Sequence, residues 1–281
     1  MTKLKVAAVQ MSSGSDKEKN LNQAKKLILL AVNKKAKFIA LPEVFNYRGK
    51  LSEAFKVAEP IPGYSTNFIS QLAKKYKVWI LIGSLLEKVG ADLASALKTQ
   101  NTKPFNTSVL INPKGKIAAK YRKMHLFDIR LKGKEILESS RNQAGKNPKL
   151  VEVGFKPISI KVGLSICYDL RFPELYRHYS KNGAEIICIP SSFIKLTGEA
   201  HWHTLIKARA IENFAYVIAP DQAGTGSGGV KTYGHSLIVD PWGKILAEAS
   251  ADKEEVIFAE IDLDYLEKIR KTLPALEHRK L

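Results

Sequence analysis

Leu110-Ile-Asn-Pro-Lys-Gly-Lys-Ile117 and Ile238-Val-Asp-Pro-Trp-Gly-Lys-Ile245 share one pattern, two apolar residues, Asx-Pro-x-Gly and then Lys-Ile. Proline and glycine stand where a tight turn needs them, so each copy predicts a hairpin. Working outward, Val78-Trp-Ile matches Tyr216-Val-Ile, Phe38-Ile-Ala-Leu-Pro42 matches Ile186-Ile-Cys-Ile-Pro190, and Lys5-Val-Ala-Ala-Val-Gln10 matches Lys161-Val-Gly-Leu-Ser-Ile166. The offset falls steadily, from 156 at Lys5/Lys161 to 148 at Pro42/Pro190, 138 at Val78/Tyr216 and 128 at Pro113/Pro241, as shorter loops in the second half would produce. The chain reads as a duplication.

Each half alternates strand-like and helix-like runs, the mark of an α/β protein. Strands are predicted at Val6–Met11, Phe38–Leu41, Val78–Gly83, Ser108–Ile111, Ile117–Tyr121, Ile158–Cys167, Ile186–Ile189, Tyr216–Ala219, Ser236–Val239, Ile245–Ala247 and Val256–Ile261. Amphipathic spacing predicts helices at Asp16–Asn33, Thr66–Tyr76, Pro173–Asn182, His201–Asn213 and Leu263–Thr272, with Asp16 and Asp264 as helix starts and Pro173 in a first turn. A sheet with helices on one face must bury the other face. Two equivalent halves do so by packing sheet on sheet, which predicts one four-layer α-β-β-α domain over residues 1–281 with internal pseudo-twofold symmetry.

Composition narrows the classes. Of 281 residues, 45% are apolar and 26% charged, a globular profile. Apolar runs such as Leu27–Val32 fall far short of the ~20 residues of a spanning helix, and no signal-peptide pattern precedes Val6, so no membrane role and a cytoplasmic location are expected. Two cysteines exclude a disulfide scaffold, and without a Cys-x-x-Cys pair a zinc ribbon is not expected. The formal charge of +18 could mark a nucleic-acid binder. The lysines are scattered rather than clustered and no nucleic-acid module is present, so a solvated basic surface is the better reading.

Cys167 ends one predicted strand and precedes Tyr168-Asp-Leu-Arg-Phe-Pro173. A strand-to-helix turn exposes a side chain, aims N–H groups at one spot and lowers a thiol pKa, which suits a nucleophile beside an oxyanion hole. Cys188 lies between isoleucines and reads as core. A thiol nucleophile needs a proton acceptor. His201 or His235 would serve, but Glu43, directly after Leu41-Pro42, and Lys123, after the first hairpin, stand at strand ends where burial is costly unless the charge is used or paired. A solvated Glu and Lys are the commoner fate of these residue types.

Leu41-Pro-Glu-Val-Phe45, Tyr121-Arg-Lys-Met-His-Leu-Phe-Asp128 and Ile166-Cys-Tyr-Asp-Leu-Arg-Phe-Pro-Glu-Leu175 together resemble the three motif blocks of the nitrilase superfamily of carbon–nitrogen hydrolases. The resemblance runs from Lys5 to about Lys280. It implies the four-layer fold, a catalytic set of Glu43, Lys123 and Cys167, a further glutamate at Glu138, no metal or organic cofactor, and a homodimer or larger assembly to which the tail from about residue 263 contributes. Thr197-Gly-Glu-Ala-His-Trp-His203, Lys207-Ala-Arg-Ala-Ile-Glu-Asn213 and Tyr233-Gly-His-Ser236 resemble the Nit branch, whose amidases release ammonia from 2-oxo-dicarboxylic acid monoamides such as deaminated glutathione. The expected partner is thus a small-molecule amide. A nitrile or an N-carbamoyl amine is the alternative substrate, and a silent basic binding protein on the same fold the alternative class.

Around the nucleophile, the Tyr168 N–H is expected in the oxyanion hole, Glu138 to orient Lys123 or the substrate amide, and Asp169, Arg171 and Glu174 in a supporting ion-pair shell, with Arg171 also a candidate for a substrate carboxylate. His201 and His203 diverge at i,i+2 on a helix and should not share a metal. Arg209 and Glu212 read as structural. Gln222–Lys231 is glycine-rich without a phosphate-loop ending and reads as a loop near the pocket mouth.

Overall fold

The computed structural model describes residues 3–50, 53–89, 103–131, 134–227 and 229–280. Gly228 of the glycine-rich loop therefore lies outside the described residues.

The first half contains β1 (Lys3–Gln10), α1 (Lys17–Asn33), β2 (Phe38–Ala40), a short α2 (Ala54–Val57), α3 (Tyr64–Tyr76), β3 (Trp79–Glu87), β4 (Phe105–Ile111) and β5 (Ile117–Arg122). A small hairpin follows, β6 (Asp128–Leu131) with β7 (Lys134–Leu137). The second half contains β8 (Lys149–Phe155), β9 (Ile158–Leu164), a 3-10 turn (Cys167–Arg171), α4 (Pro173–Lys181), β10 (Ile186–Cys188), α5 (Lys195–Asn213), β11 (Tyr216–Ala219), β12 (Leu237–Val239) and β13 (Ile245–Glu248). β14 (Glu255–Asp262) and α6 (Leu263–Thr272) end the described elements.

Two six-stranded sheets result, β14-β1-β2-β3-β4-β5 and β8-β9-β10-β11-β12-β13. They correspond strand for strand. In each, three parallel strands are flanked by one antiparallel strand on one side and an antiparallel hairpin on the other. The duplication read from the sequence is thus present, with one addition. Each unit has an outer strand, β8 or β14, and the outer strand of the first sheet is supplied from the far end of the chain, Lys3 pairing with Asp262 and Gln10 with Glu255.

Alternation along the strands builds the layers. On β1, Val6 and Ala8 join Phe38, Leu81 and Leu110 in a core shared with Val162, Ile187 and Val217 of the other sheet. Ala7 and Val9 face the opposite way, against Leu21, Leu27 and Ile28 of α1 and Ile69 and Leu72 of α3. Trp202 and Ile206 of α5 and Tyr176 and Tyr179 of α4 cover the second sheet. The order is helix, sheet, sheet, helix.

Local chemistry fixes the element ends. Asp16 caps α1 by accepting the Lys19 N–H at 3.0 Å, and Pro173 opens α4. The start of α6 is corrected, since Asp262, not Asp264, accepts the Tyr265 N–H. α5 begins at Lys195, before the predicted His201, and its first turns include Gly198, where the Tyr233 ring packs directly against the helix. The strand predicted to reach Cys167 stops at Leu164, as the chain turns there into the 3-10 helix.

One irregularity seats the site. β3 shifts register against β4 between Ile82 and Leu85. Around that bulge Ser84 accepts the Val44 N–H on its hydroxyl and the Phe45 N–H on its carbonyl. A Cβ on Gly83 would stand 2.0 Å from the Leu41 carbonyl oxygen and 2.2 Å from that of Pro42. Gly83→Ala must therefore displace the segment that carries Glu43. It is expected to cost about 1–3 kcal/mol in urea unfolding and to lower turnover as well. A variant with unchanged midpoint and rate would show that this close approach is not needed.

Candidate active site

The ends of the parallel strands from both sheets converge on one cavity of about 230 Å3. Glu43 follows β2, Cys167 follows β9, Ser192 follows β10, and Lys123 leaves β5. All four line the cavity, together with Glu138. The sequence separations are large, so this constellation exists only in the folded chain.

Lys123 is 2% exposed and lies between two carboxylates, donating to Glu43 Oε1 at 3.0 Å and to Glu138 Oε2 at 2.8 Å. Asn106 Nδ2 spans the same pair, 2.9 Å from Glu43 Oε1 and 3.3 Å from Glu138 Oε1. Glu43 Oε2 accepts the Ser192 N–H at 2.8 Å, a bond between the halves. Glu138 Oε2 also takes the Phe127 N–H at 2.7 Å, and its Oε1 takes Asn142 Nδ2 at 3.1 Å. Burial works against the Lys123 ammonium, but Glu138 and Glu43 outweigh it and hold the group well above the usual lysine range. Burial likewise would raise the Glu138 carboxyl, and Lys123 reverses this, keeping it below the usual range. Glu43 and Glu138 thus flank one buried ammonium, each hydrogen-bonded to it.

Cys167 is buried and sits at φ +47°, a left-handed conformation unusual for a side-chain-bearing residue. Its N–H is held by the Pro190 carbonyl at 2.9 Å. The turn behind it is locked by Asp169, which is fully buried. Asp169 Oδ2 accepts the Ile166 N–H at 2.8 Å and the Tyr121 hydroxyl at 2.7 Å, while Oδ1 meets the His125 N–H at 3.1 Å and His125 Nδ1 at 2.7 Å. Because Tyr121 and His125 flank Lys123, this one carboxylate ties the nucleophile turn to the lysine segment. Asp169 belongs to the site, but its partner is His125 and not Arg171.

The charge state of the thiol corrects the sequence reading. Burial first and the Glu43 carboxylate second push Cys167 well above the usual thiol range, and neither Lys123 nor the Ser192 N–H prevails against them. Both causes favour the protonated thiol, opposite to the lowering expected from the turn alone. Cys188 is raised by burial alone and lies in the core, as expected.

Other expectations are redistributed. Tyr168 lines the cavity, its ring edge-on to Phe127 at 5.0 Å. Arg171 does not. Its guanidinium lies over the Tyr168 and Phe193 rings and 3.3 Å from His201 Nδ1, behind the aromatic wall, so a contact with a substrate carboxylate is not supported. Glu174 is exposed on the first turn of α4 and joins no ion pair among the described residues. His201 and His235, the other candidate bases, are engaged elsewhere and neither lines the cavity. Arg209 is structural, donating twice to the Leu170 carbonyl and pairing with Glu212 at 2.8 Å. The glycine-rich loop does reach the cavity, through Gly226 and Val230.

Sequence reasoning missed Asn106, Asn142, Arg48 and Arg141. Asn106 and Asn142 each leave a buried side-chain oxygen without a protein partner. Arg48 lines the cavity, donates to the Ser13 carbonyl, and ties the loop after β2 to the second half through Ala223 and Thr232. Arg141 lines it without a side-chain bond among the described residues, and burial lowers its pKa. Lone polar residues in a basic chain carry no spacing signal that could have singled them out.

The Carbon-nitrogen hydrolase family matches residues 5–271. A deaminated glutathione amidase of Synechocystis sp. is 40% identical over 97% of this chain and 97% of its own. An omega-amidase of Xenopus tropicalis is 38% identical over 100% of this chain and 96% of its own. Among solved structures, a Saccharomyces cerevisiae protein described as a member of branch 10 of the nitrilase superfamily superposes with a TM-score of 0.85 at 35% identity, covering 100% of this chain and 97% of that one. A fold of two helix-backed sheets, closed over a cysteine, a lysine and two glutamates, is that of a carbon–nitrogen hydrolase. The chain belongs to that family, within the nitrilase superfamily.

Two outcomes follow from the geometry. Asp169→Ala strands the donors of Ile166, Tyr121 and His125, which should cost about 3 kcal/mol in denaturant unfolding. A loss within experimental error of zero would show that Asp169 does not lock the nucleophile turn. Glu43→Gln removes one of the charges that hold the thiol neutral. Thiolate absorbance in a pH titration should then rise at lower pH than in the parent, even as catalysis falls, and an unchanged or upward shift contradicts the charge ordering.

Proposed function

We propose that this protein is an amidase that hydrolyses the terminal amide of a 2-oxo-dicarboxylic acid monoamide, deaminated glutathione or a close analogue, through a thioester on Cys167. The observation that carries the reading is the buried Cys167 thiol, lining one cavity with Glu43, which itself accepts from the Lys123 ammonium at 3.0 Å. The curated relatives support the substrate class, since proteins named deaminated glutathione amidase and omega-amidase match nearly the whole chain at 38–40% identity.

An amide is a weak electrophile with a poor leaving group, and a covalent intermediate divides its hydrolysis into two easier steps. Glu43 takes the Cys167 proton as Sγ attacks the amide carbon. The carbonyl oxygen becomes an oxyanion, stabilised by the Lys123 ammonium and the Tyr168 N–H. The tetrahedral intermediate collapses, the C–N bond breaks, and Glu43 passes its proton to the departing ammonia. Water then enters and Glu43 removes its proton as it attacks the thioester. The second intermediate expels the sulfur, which regains the proton, and the carboxylic acid leaves. Glu138 never faces the reacting carbon in this scheme. It holds Lys123 in place and in charge.

Arg141, a half-buried cation without a protein partner among the described residues, supports an acidic substrate. The exposed Lys50 lies at the same cavity. A homodimer remains our reading of the assembly, supported by Ile211 and Trp242, exposed at 45% and 59% around the Gly243 turn. Cytoplasmic location remains our reading as well. No helix among the described residues is long and apolar enough to cross a membrane, and both cysteines are free thiols.

Ammonia release from a panel of amides, nitriles and N-carbamoyl amines tests the substrate class. The expected outcome is preference for 2-oxo acid monoamides, turnover abolished by Cys167→Ala, and a loss of about 10²–10⁴-fold in kcat for Glu43→Gln. Arg141→Ala should raise KM about tenfold with little change in kcat, as expected for uniform binding worth about 1.4 kcal/mol. Near-full activity of Glu43→Gln would show the base to be misassigned. A preference for nitriles or carbamoyl compounds would move the protein to another branch.

A further inference from the structure

The second half carries a side-chain cluster that the hydrolytic scheme does not use. His203 lies on α5, His235 precedes β12, and Glu248 ends β13, the edge strand of the second sheet. His203 Nε2 is 3.0 Å and His235 Nδ1 2.8 Å from the same oxygen, Glu248 Oε1, and the three donor atoms lie within 4.8 Å of one another. None of the three lines the catalytic cavity.

We propose that His203, His235 and Glu248 bind a divalent transition metal, zinc in the first instance. Zinc takes imidazole nitrogen and carboxylate oxygen at about 2.0–2.2 Å in tetrahedral geometry, which sets neighbouring donors roughly 3.3 Å apart. The two N···O separations, 3.0 and 2.8 Å, need to open by only a few tenths of an ångström. All three side chains are partly solvent-accessible, between 26% and 35%, so an ion can enter and a water can complete the shell.

The surroundings favour a donor set over a chance ion pair. In a chain with 45 lysines and arginines, the partners of Glu248 among the described residues are two imidazoles and neither a lysine nor an arginine. The His235 backbone is held at φ +50°, with its carbonyl accepting the Trp202 indole N–H at 2.7 Å and its N–H donating to Ser250. This conformation fixes the ring against Glu248. Tyr233, packed on Gly198 of α5, brings its hydroxyl to 3.5 Å from His203 Nδ1, the nitrogen that would remain free on metal binding. Zinc takes the neutral, unprotonated ring nitrogen, so His203 Nε2 and His235 Nδ1 must give up any proton they share with Oε1. Each proton moves to the far ring nitrogen or to solvent. The ion would join α5 to the sheet edge and to the segment that carries Thr232 at the cavity wall.

His203 and His201, adjacent in the sequence pattern, do not share this site, because His201 turns to Arg171. The pairing that matters is across the fold.

The test uses untagged full-length protein carrying Cys167→Ala, so that the reactive thiol cannot take the ion. Calorimetric titration with Zn2+ should give one site, weakened at least about tenfold by His203→Gln and by Glu248→Gln. Cobalt should give the visible bands of a four-coordinate ion without thiolate charge transfer, and zinc should raise the thermal midpoint of the parent but not of either variant. Near-UV dichroism establishes that the variants are folded. Absence of a zinc site, equal affinity in folded variants, or a cobalt spectrum showing sulfur ligation overturns the proposal.

Discussion

The Lys123 ammonium, buried between Glu43 and Glu138, is the constraint on which the rest of the structure depends. Burying one ion alone is prohibitive, and burying three is tolerable only when each is paired and hydrogen-bonded. Here the satisfaction is nearly complete, with Asn106, Asn142 and the N–H groups of Ser192 and Phe127 closing the remaining valences. Those partners come from β4, the hairpin region and the segment after β10. The charged centre therefore requires both sheets to be in register before it can exist. Burial first, and the neighbouring Glu43 second, disfavour the thiolate at Cys167 until a substrate carbonyl arrives to receive the electrons.

The pseudo-symmetry explains why the two sheets meet where they do. Equivalent strands end at one seam, and each half lends the other a polar clamp. Gln222, from the second half, receives the Ser13 N–H on its Oε1, and its amide donates to the Ser13 hydroxyl and the Glu43 carbonyl. Gln10, from the first, accepts from the Ser236 N–H and hydroxyl. The halves are alike in architecture but divided in chemistry. The first supplies acid and lysine, the second supplies the nucleophile and the N–H of Ser192.

Much of this was legible in the sequence. Alternation and turn chemistry located the strands, because a strand buried on both faces has little freedom of composition, and the repeated Asx-Pro-x-Gly turn exposed the duplication. Glu43, Lys123 and Cys167 stood out as polar residues at strand ends. The outer strands were harder. β8 alternates only weakly, and nothing local tells β14 that its partner is β1. Asp169 and Arg171, two residues apart, read as an ion pair, but the tight turn sends one inward to Tyr121 and His125 and the other outward to His201. The thiol was misread for a related reason. Its pKa depends on how completely the fold excludes water and on a carboxylate 124 positions earlier, and neither is a local property.

The pairing of β14 with β1 has a consequence for the order of assembly. The second sheet is contiguous, from Lys149 to Glu248, and each of its strands finds a neighbour soon after it is made. The first sheet is begun with β1 but lacks its outer strand until Asp262 has been synthesised. During translation the edge of β1 stays open while the second half is built beside it. Long-range closure of this kind is slow compared with local pairing. The earliest strand in the chain is among the last to be completed, and the carboxylate that follows β2 settles into its final surroundings only once the later half has formed.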